Sequence, residues 1–352
     1  MPALIEPAPL GRAQRVAAFL ERTGWGGARR RPLAGDASFR RYERLEDGAR
    51  RAVLMDAPPP AEDVRPFAAL AHHLRRLGYS APEVLAEDAR DGLLVIEDFG
   101  DQTYTRMLAR GADEWTLYAF AVDLLIDLHR RPPAEAIPAG LAPYDDARLL
   151  DEALLFTDWY MPAVLGGATG DAARREYADA WLAAFPAVHA QPRTLVLRDY
   201  HVDNLMGLAG RDGIRACGIL DFQDAVAGPA AYDLVSLLED ARRDIGAGLA
   251  ADMLARYLGA HDQNEFTAAL DQAGFMAAYA ILGAQRHAKV IGIFTRLDRR
   301  DGKSDYLVHI PRVWRLLEGA LAHPALAGVA EWLERHVPPE ARRTPPTRGG
   351  AA

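Results

Sequence analysis

Lysine is nearly absent from this 352-residue sequence. Of its 41 cationic side chains only Lys289 and Lys303 are lysines, and the rest are arginines. A role that needs a compact ammonium therefore has two candidates, whereas planar guanidinium forks are plentiful. Cysteine is scarcer still: Cys217 stands alone, which excludes an intramolecular disulfide framework and a thiolate metal cage and fits a reducing compartment. No apolar run approaches the roughly 18 uninterrupted residues of a membrane span. Met1 to Pro9, with Glu6 among its prolines, lacks the basic-then-apolar order of a secretory signal. A cytoplasmic protein without a membrane partner is expected. Positive charge as a whole is also short. With 41 Lys and Arg against 49 Asp and Glu the net charge is −8, so duplex nucleic acid is a poor partner and small-molecule chemistry is the starting expectation. What is present is an ordinary globular balance, 50% apolar and 26% charged, long enough for about two domains.

The pattern changes along the chain. Residues 10–22 place Val16, Phe19 and Leu20 at helical spacing before Gly24. Phe39 to Leu45 and Arg51 to Met55 are strand-like runs on either side of Asp47-Gly48, a type I′ hairpin signal. Val64, Phe67, Leu70, Ala71, Leu74 and Leu77 then mark an amphipathic helix up to Gly78, and Pro82 to Ala86 with Leu93 to Glu97 form a second hairpin closed by Asp91-Gly92. After Gly100 long helical patterns take over, at 112–130, 146–164, 171–189, 230–243, 246–258 and 264–288. Short apolar runs, Thr194 to Leu197, Leu205 to Leu208 and Gly218 to Leu220, lie between them beside clustered acids and amides. This reads as an α+β protein of two lobes: a small β-containing N-lobe over 1–99, a large mainly helical C-lobe over 100–337, and a Pro- and Arg-rich disordered tail over 338–352. A ligand site between two such lobes is the ordinary expectation.

The chemistry concentrates in LVLRDYHVDNLM, residues 195–206, and GILDFQD, residues 218–224. Two apolar strands deliver Asp199, then Asn204 five positions on, then Asp221 seventeen further. Phosphoryl transfer needs an acid beside the attacking hydroxyl and oxygen ligands for Mg²⁺ against nucleotide phosphates, and Asp, Asn and Asp at strand tips supply that set. Singly, each is a turn former or helix cap. The joint spacing carries the assignment.

That spacing resembles a known family. Arg198-Asp199 with Asn204 looks like the catalytic loop of protein kinases, and Asp221-Phe222-Gln223 stands where D-F-G would. Asp199, His201 and Asn204 are closer still to the D-x-H-x-x-N loop of aminoglycoside phosphotransferase-like kinases, and the Gly228-to-Leu234 stretch matches that superfamily's next helix start. The GDASFRRY run from Gly35, Met55-Asp56-Ala57-Pro58-Pro59, Phe156 to Tyr160 and Leu220 to Ala225 are similar to the bacterial anomeric sugar kinases, which phosphorylate N-acetylmuramate and N-acetylglucosamine at C1 in cell-wall recycling. The resemblance spans about residues 30–300 and implies a bilobal protein-kinase-like fold using ATP and Mg²⁺ on a small sugar, as a monomer.

Carried over residue by residue, the resemblance makes Asp199 the base toward the anomeric hydroxyl, with Arg198 and His201 in the catalytic loop. It makes Asn204 and Asp221 the metal ligands, with Asp224 at or beside the metal, and Asp233 the residue that ties the loop. Gly35, Asp36 and Ser38 form the phosphate-covering turn, and Glu97 and Phe99 mark the adenine connector. The phosphate-pairing lysine of protein kinases is missing from Ala52 to Met55, and its task is assigned to Arg40 or Arg41. Tyr144, Asp145, Glu152 and Tyr160, on or just before one helix, are the expected sugar contacts, while Phe156 and Trp159 are read as core. Two other readings remain open: an aminoglycoside kinase with an acidic pocket drawing on Glu239, Asp240 and Asp244, and a silent pseudokinase, suggested by the missing lysine and by Leu197 in place of the loop's first histidine.

Overall fold

The computed structural model describes residues 11–33, 39–262 and 271–347. In chain order its regular elements begin with α1 (Arg12–Arg22), β1 (Arg29–Pro32), β2 (Arg41–Asp47), β3 (Arg50–Asp56), α2 (Arg65–Arg76), β4 (Val84–Asp88) and β5 (Leu93–Ile96). They continue with α3 (Tyr104–Ala109), α4 (Glu114–His129), α5 (Pro133–Ala136), α6 (Asp146–Ala153), α7 (Met161–Leu165), α8 (Asp171–His189), β6 (Arg193–Val196), β7 (Leu205–Gly207) and β8 (Cys217–Ile219). The last are β9 (Val226–Pro229), α9 (Ala231–Leu238), α10 (Ala247–Asp262), α11 (Gln272–Asp301), α12 (Ile310–Leu321) and α13 (Ala327–His336). The chain divides into two compact units, one of Met1–Gln102 with Met206–Gln223, the other of Thr103–Leu205 with Asp224–Ala352.

The first unit is built on an antiparallel sheet in the order β1-β2-β3-β5-β4. Leu45 of β2 faces Ala52 of β3, and Leu54 of β3 faces Val95 of β5, so one face of the sheet presents a continuous apolar surface. Val16, Phe19 and Leu20 from α1 and Trp25 pack on it, and this core is sealed from water. The β2–β3 turn lies one residue later than the Asp47-Gly48 signal suggests. Asp47 pairs with Arg50, Gly48 and Ala49 make the turn, and only Gly48 has a positive φ, +60°, which fits type II′ rather than I′. The 206–223 excursion is anchored here by three contacts. The Ile219 N–H donates to the Ser80 carbonyl (2.8 Å), the Ser80 hydroxyl donates to the Arg215 carbonyl (2.7 Å), and Phe222 stacks on Phe67 at 4.9 Å.

In the second unit the helices bury their apolar faces around α11. Its expected run, 264–288, begins in residues outside those described and continues well past 288, to Asp301, where Gly302 (φ +70°) caps it. Past 288 the helix goes on burying apolar side chains, Val290, Ile291, Phe294 and Leu297, so its packing face continues. The 146–164 pattern is interrupted at Phe156–Tyr160 by a π turn, which feeds α7 at Pro162. That turn is where α11 comes closest: a Cβ on Gly292 would run into the backbone carbonyl of Leu155 well inside contact distance. The segment after Pro338, expected to lack structure, is tied down through its backbone. The Tyr160 hydroxyl donates to the Ala341 (2.7 Å) or Arg343 (2.8 Å) carbonyl and accepts from the Arg343 N–H (3.0 Å), and Ala341 is buried. No helix among the described residues is long and apolar enough to cross a membrane.

Gly292→Ala should therefore destabilise the fold by about 1–3 kcal/mol through overpacking, read as a lower urea midpoint at unchanged slope. An unchanged midpoint would contradict the α11–Leu155 contact.

Candidate active site

The 197–204 loop folds as it does because its apolar and polar residues divide. Leu197, Tyr200, Val202 and Leu205 are buried, and the Tyr200 hydroxyl donates to the Ala121 carbonyl of α4 (2.8 Å). This pins the loop and leaves Arg198, Asp199, Asp203 and Asn204 less deeply buried. The backbone is held from α9. Fully buried Asp233 accepts from the Leu197 N–H (2.7 Å) and the Arg198 N–H (2.8 Å). Between these bonds and Asp199, Arg198 adopts φ +70°. Among the described residues only Arg198 and Asp221 (φ +57°) have positive φ without being glycine, and both belong to the motif.

A second tie holds the Arg198 side chain. Its guanidinium donates to Glu152 of α6 and to the Asp224 carbonyl (3.2 Å). Glu152 also pairs with Lys289 of α11 (3.2 Å) and accepts from the Tyr144 hydroxyl and from Gln285 (3.3 Å). Burial alone would raise the Glu152 carboxyl, but Lys289 and then Arg198 outweigh it and hold it below the usual range. Asp199 follows the same logic. Desolvation pushes it up, while the permanent cations Lys289, Arg286 and Arg198 help bring it below an ordinary carboxyl, so it stands ionised at neutral pH. Burial lowers His201, which is therefore neutral at pH 7. Its Nε2 faces the Asn204 amide nitrogen (3.4 Å), and that nitrogen also donates to the Asp199 carbonyl (2.9 Å), which fixes the orientation of the Asn204 amide.

Asp221 belongs to the sheet unit. Gln223 donates to its carboxylate (2.9 Å), and Arg40 lies 3.6 Å from the same oxygen, making Arg40 rather than exposed Arg41 the cation tied to the motif. Glu97 pairs with Arg75 (3.2 Å) and Arg211, so its side chain is committed to the fold. Phe99 packs against Gly218, where a Cβ would sit 3.0 Å from the ring. Gly35, Asp36 and Ser38 lie outside the described residues.

Several expected sugar contacts have other partners. Tyr160 is a core residue, fully buried, stacked on Phe156 at 5.1 Å and bonded to Trp314 Nε1 (2.9 Å), because the π turn directs it inward. Asp145 caps α6 through the Arg148 N–H (3.0 Å). Tyr144 is buried behind Glu152, and both reach the loop through Arg198. Asp224 is exposed, and its backbone carbonyl accepts from Arg198 (3.2 Å). Lys289 and Arg286, given no role in the sequence reading, both act on Asp199. The available signal was four polar residues in five, Gln285 to Lys289, between the apolar stretches 273–284 and 290–294.

These arrangements ionise one carboxylate and fix the loop that carries it, and the chain as a whole is similar to known proteins. The model of the phosphotransferase enzyme family matches residues 29–270. The chain is 38% identical over 359 positions to the N-acetylmuramate/N-acetylglucosamine kinase of Caulobacter vibrioides, covering 93% of this chain and 97% of that protein. It is 40% identical over 316 positions to the protein of the same name from Pseudomonas aeruginosa, covering 88% and 90%. In three dimensions it is similar to the choline kinase LicA of Streptococcus pneumoniae, with a TM-score of 0.61 over 89% of this chain and 100% of that one; at 11% identity this is a likeness of fold.

Burial pushes the Asp233 carboxyl up to about 7 against its two N–H donors. Because the folded value lies above the ordinary one near 4, its contribution to stability is complete below about pH 4 and is lost as pH rises through 7. Urea titrations from pH 4 to 8 should show this decline in the wild type and a flatter profile in Asp233→Asn. Parallel profiles would refute it.

Proposed function

The chain belongs to the phosphotransferase enzyme family, and we propose that it transfers the γ-phosphoryl group of ATP to the C1 hydroxyl of N-acetylmuramate and N-acetylglucosamine, the step that returns cell-wall sugars to use. The observation that carries the reading is Asp199, ionised on a loop clamped by Asp233 and Arg198, in a chain that shares 38–40% of its residues with two kinases named for these sugars. The anomeric hydroxyl is the most acidic of the sugar, so a weak base suffices. Its oxygen forms the new bond to phosphorus, the bond from the γ-phosphorus to ADP breaks, and the hydroxyl proton passes to Asp199.

Arg198 and His201 are positioning residues in this scheme. Arg198 fixes the backbone before Asp199, and His201 orients the Asn204 amide. Asn204 and Asp221 are the proposed Mg²⁺ ligands, on the chemistry of their oxygen donors, and Mg²⁺ when bound supplies charge neutralisation for the phosphates. Arg40 takes part of the role that a lysine has in protein kinases. Glu97 and Phe99 are proposed to mark the connector at the adenine. An aminoglycoside acceptor fits less well, because of the three acids expected for a polycation Glu239 is paired with His287 (2.6 Å) and Asp244 with Arg312 (2.8 Å), which leaves Asp240 alone.

Incubation with Mg-ATP and, separately, N-acetylmuramate, N-acetylglucosamine and kanamycin tests the reading. ADP release with an anomeric phosphate in the phosphorus spectrum is expected for the two sugars, and turnover with kanamycin alone would overturn it. Asp199→Asn should lower kcat at least about 100-fold; a rate near wild type would remove Asp199 from the chemistry.

A further inference from the structure

Within the helical unit a cavity of about 130 Å³ opens beside Asp199, with His201, Asp240, Arg242, Arg286 and Lys289 in its walls. Three polar atoms of these walls are buried without a protein partner: Arg286 Nη1, Asp240 Oδ2 and His201 Nδ1. A set of orphaned donors and acceptors around one cavity points to a polar ligand that supplies what the fold withholds.

Arg286 is the informative member. It is only 5% exposed, and Nη2 donates to the Ser236 hydroxyl (2.9 Å), but among the described residues the guanidinium forms no ion pair. The neighbouring cations are already matched, Lys289 by Glu152 (3.2 Å) and Arg242 by Asp203 (3.3 Å). The field of Arg286 reaches the Asp199 carboxylate in the same cavity, but Nη1 itself is buried without an acceptor, a cost that a ligand carboxylate seated against it relieves. Lys289, one turn along α11, adds to the positive field on the same side of the helix.

We propose that Arg286 receives the carboxylate of an acidic acceptor, the lactyl carboxylate of N-acetylmuramate, and thereby favours that sugar over neutral N-acetylglucosamine. The proposal rests on the reading of the chain as a kinase of N-acetyl amino sugars. Asp240 Oδ2, on the opposite chemistry, accepts from a hydroxyl common to both sugars and contributes no discrimination.

The test compares kcat/KM for N-acetylmuramate, its methyl ester and N-acetylglucosamine. In the wild type, esterification should lower kcat/KM by about 10- to 100-fold, mainly through KM, the scale of one hydrogen bond to a charged group. In Arg286→Gln the loss on N-acetylmuramate should exceed the loss on N-acetylglucosamine at least tenfold. Equal loss on both sugars would place Arg286 on the shared part of the substrate or on the transferred phosphoryl group and overturn the proposal. So would a wild type that treats acid and ester alike, a comparison that needs no variant to fold. If neither sugar is phosphorylated, the functional reading fails separately. Calorimetric titration of the acid and the ester onto the wild type then reads the contact alone, with equal affinities overturning it.

Discussion

The Asp233 carboxylate carries the site. Its two oxygens take the N–H groups of Leu197 and Arg198, two consecutive donors that the bend after β6 would otherwise bury unsatisfied. That pair of bonds lets Arg198 adopt a left-handed backbone conformation, and the conformation sets where Asp199 begins. Everything said of Asp199 as a base depends on this clamp. The raised Asp233 carboxyl shows what it costs: a carboxylate is kept in a dry place because the loop geometry needs both of its acceptors.

Around the clamp, charge is arranged in layers. Glu152 collects Arg198 from the loop and Lys289 from α11, joining three segments distant in sequence through one buried anion. Lys289 in turn is the largest of the cations that keep Asp199 ionised against desolvation. One of the chain's two lysines is thus spent on the base, and the candidate phosphate partner is an arginine, Arg40, held beside Asp221. On the proposed function the near-absence of lysine acquires a mechanistic meaning: the one ammonium in the site stabilises the Asp199 carboxylate, and the cation beside Asp221 is a guanidinium.

The fold class and the family were readable from sequence, and a candidate catalytic loop with them, because their signals are local. Alternation and turn residues mark the sheet, and fixed spacing marks Asp199, Asn204 and Asp221. What escaped depends on packing between distant segments. Nothing in the spacing of Phe156 to Tyr160 announces a π turn, so Tyr160 counted as a sugar contact when it anchors the backbone of Ala341 and Arg343. Lys289 and Arg286 sit at and just past the end of the helical run read from sequence, and their roles exist only because α6 and the loop lie against α11. Asp145 followed a local rule that was available, the N-cap, but was read as chemistry.

The central claim is that the C1 oxygen of an N-acetyl amino sugar attacks phosphorus while Asp199 takes its proton. N-acetylglucosamine carrying ¹⁸O at the anomeric hydroxyl, incubated with the protein and Mg-ATP, tests it most directly through the isotope shift in the phosphorus spectrum of the product. The account predicts that the label is retained in the bridge between C1 and phosphorus. A phosphate attached through an unlabelled oxygen, or at another carbon, would contradict it.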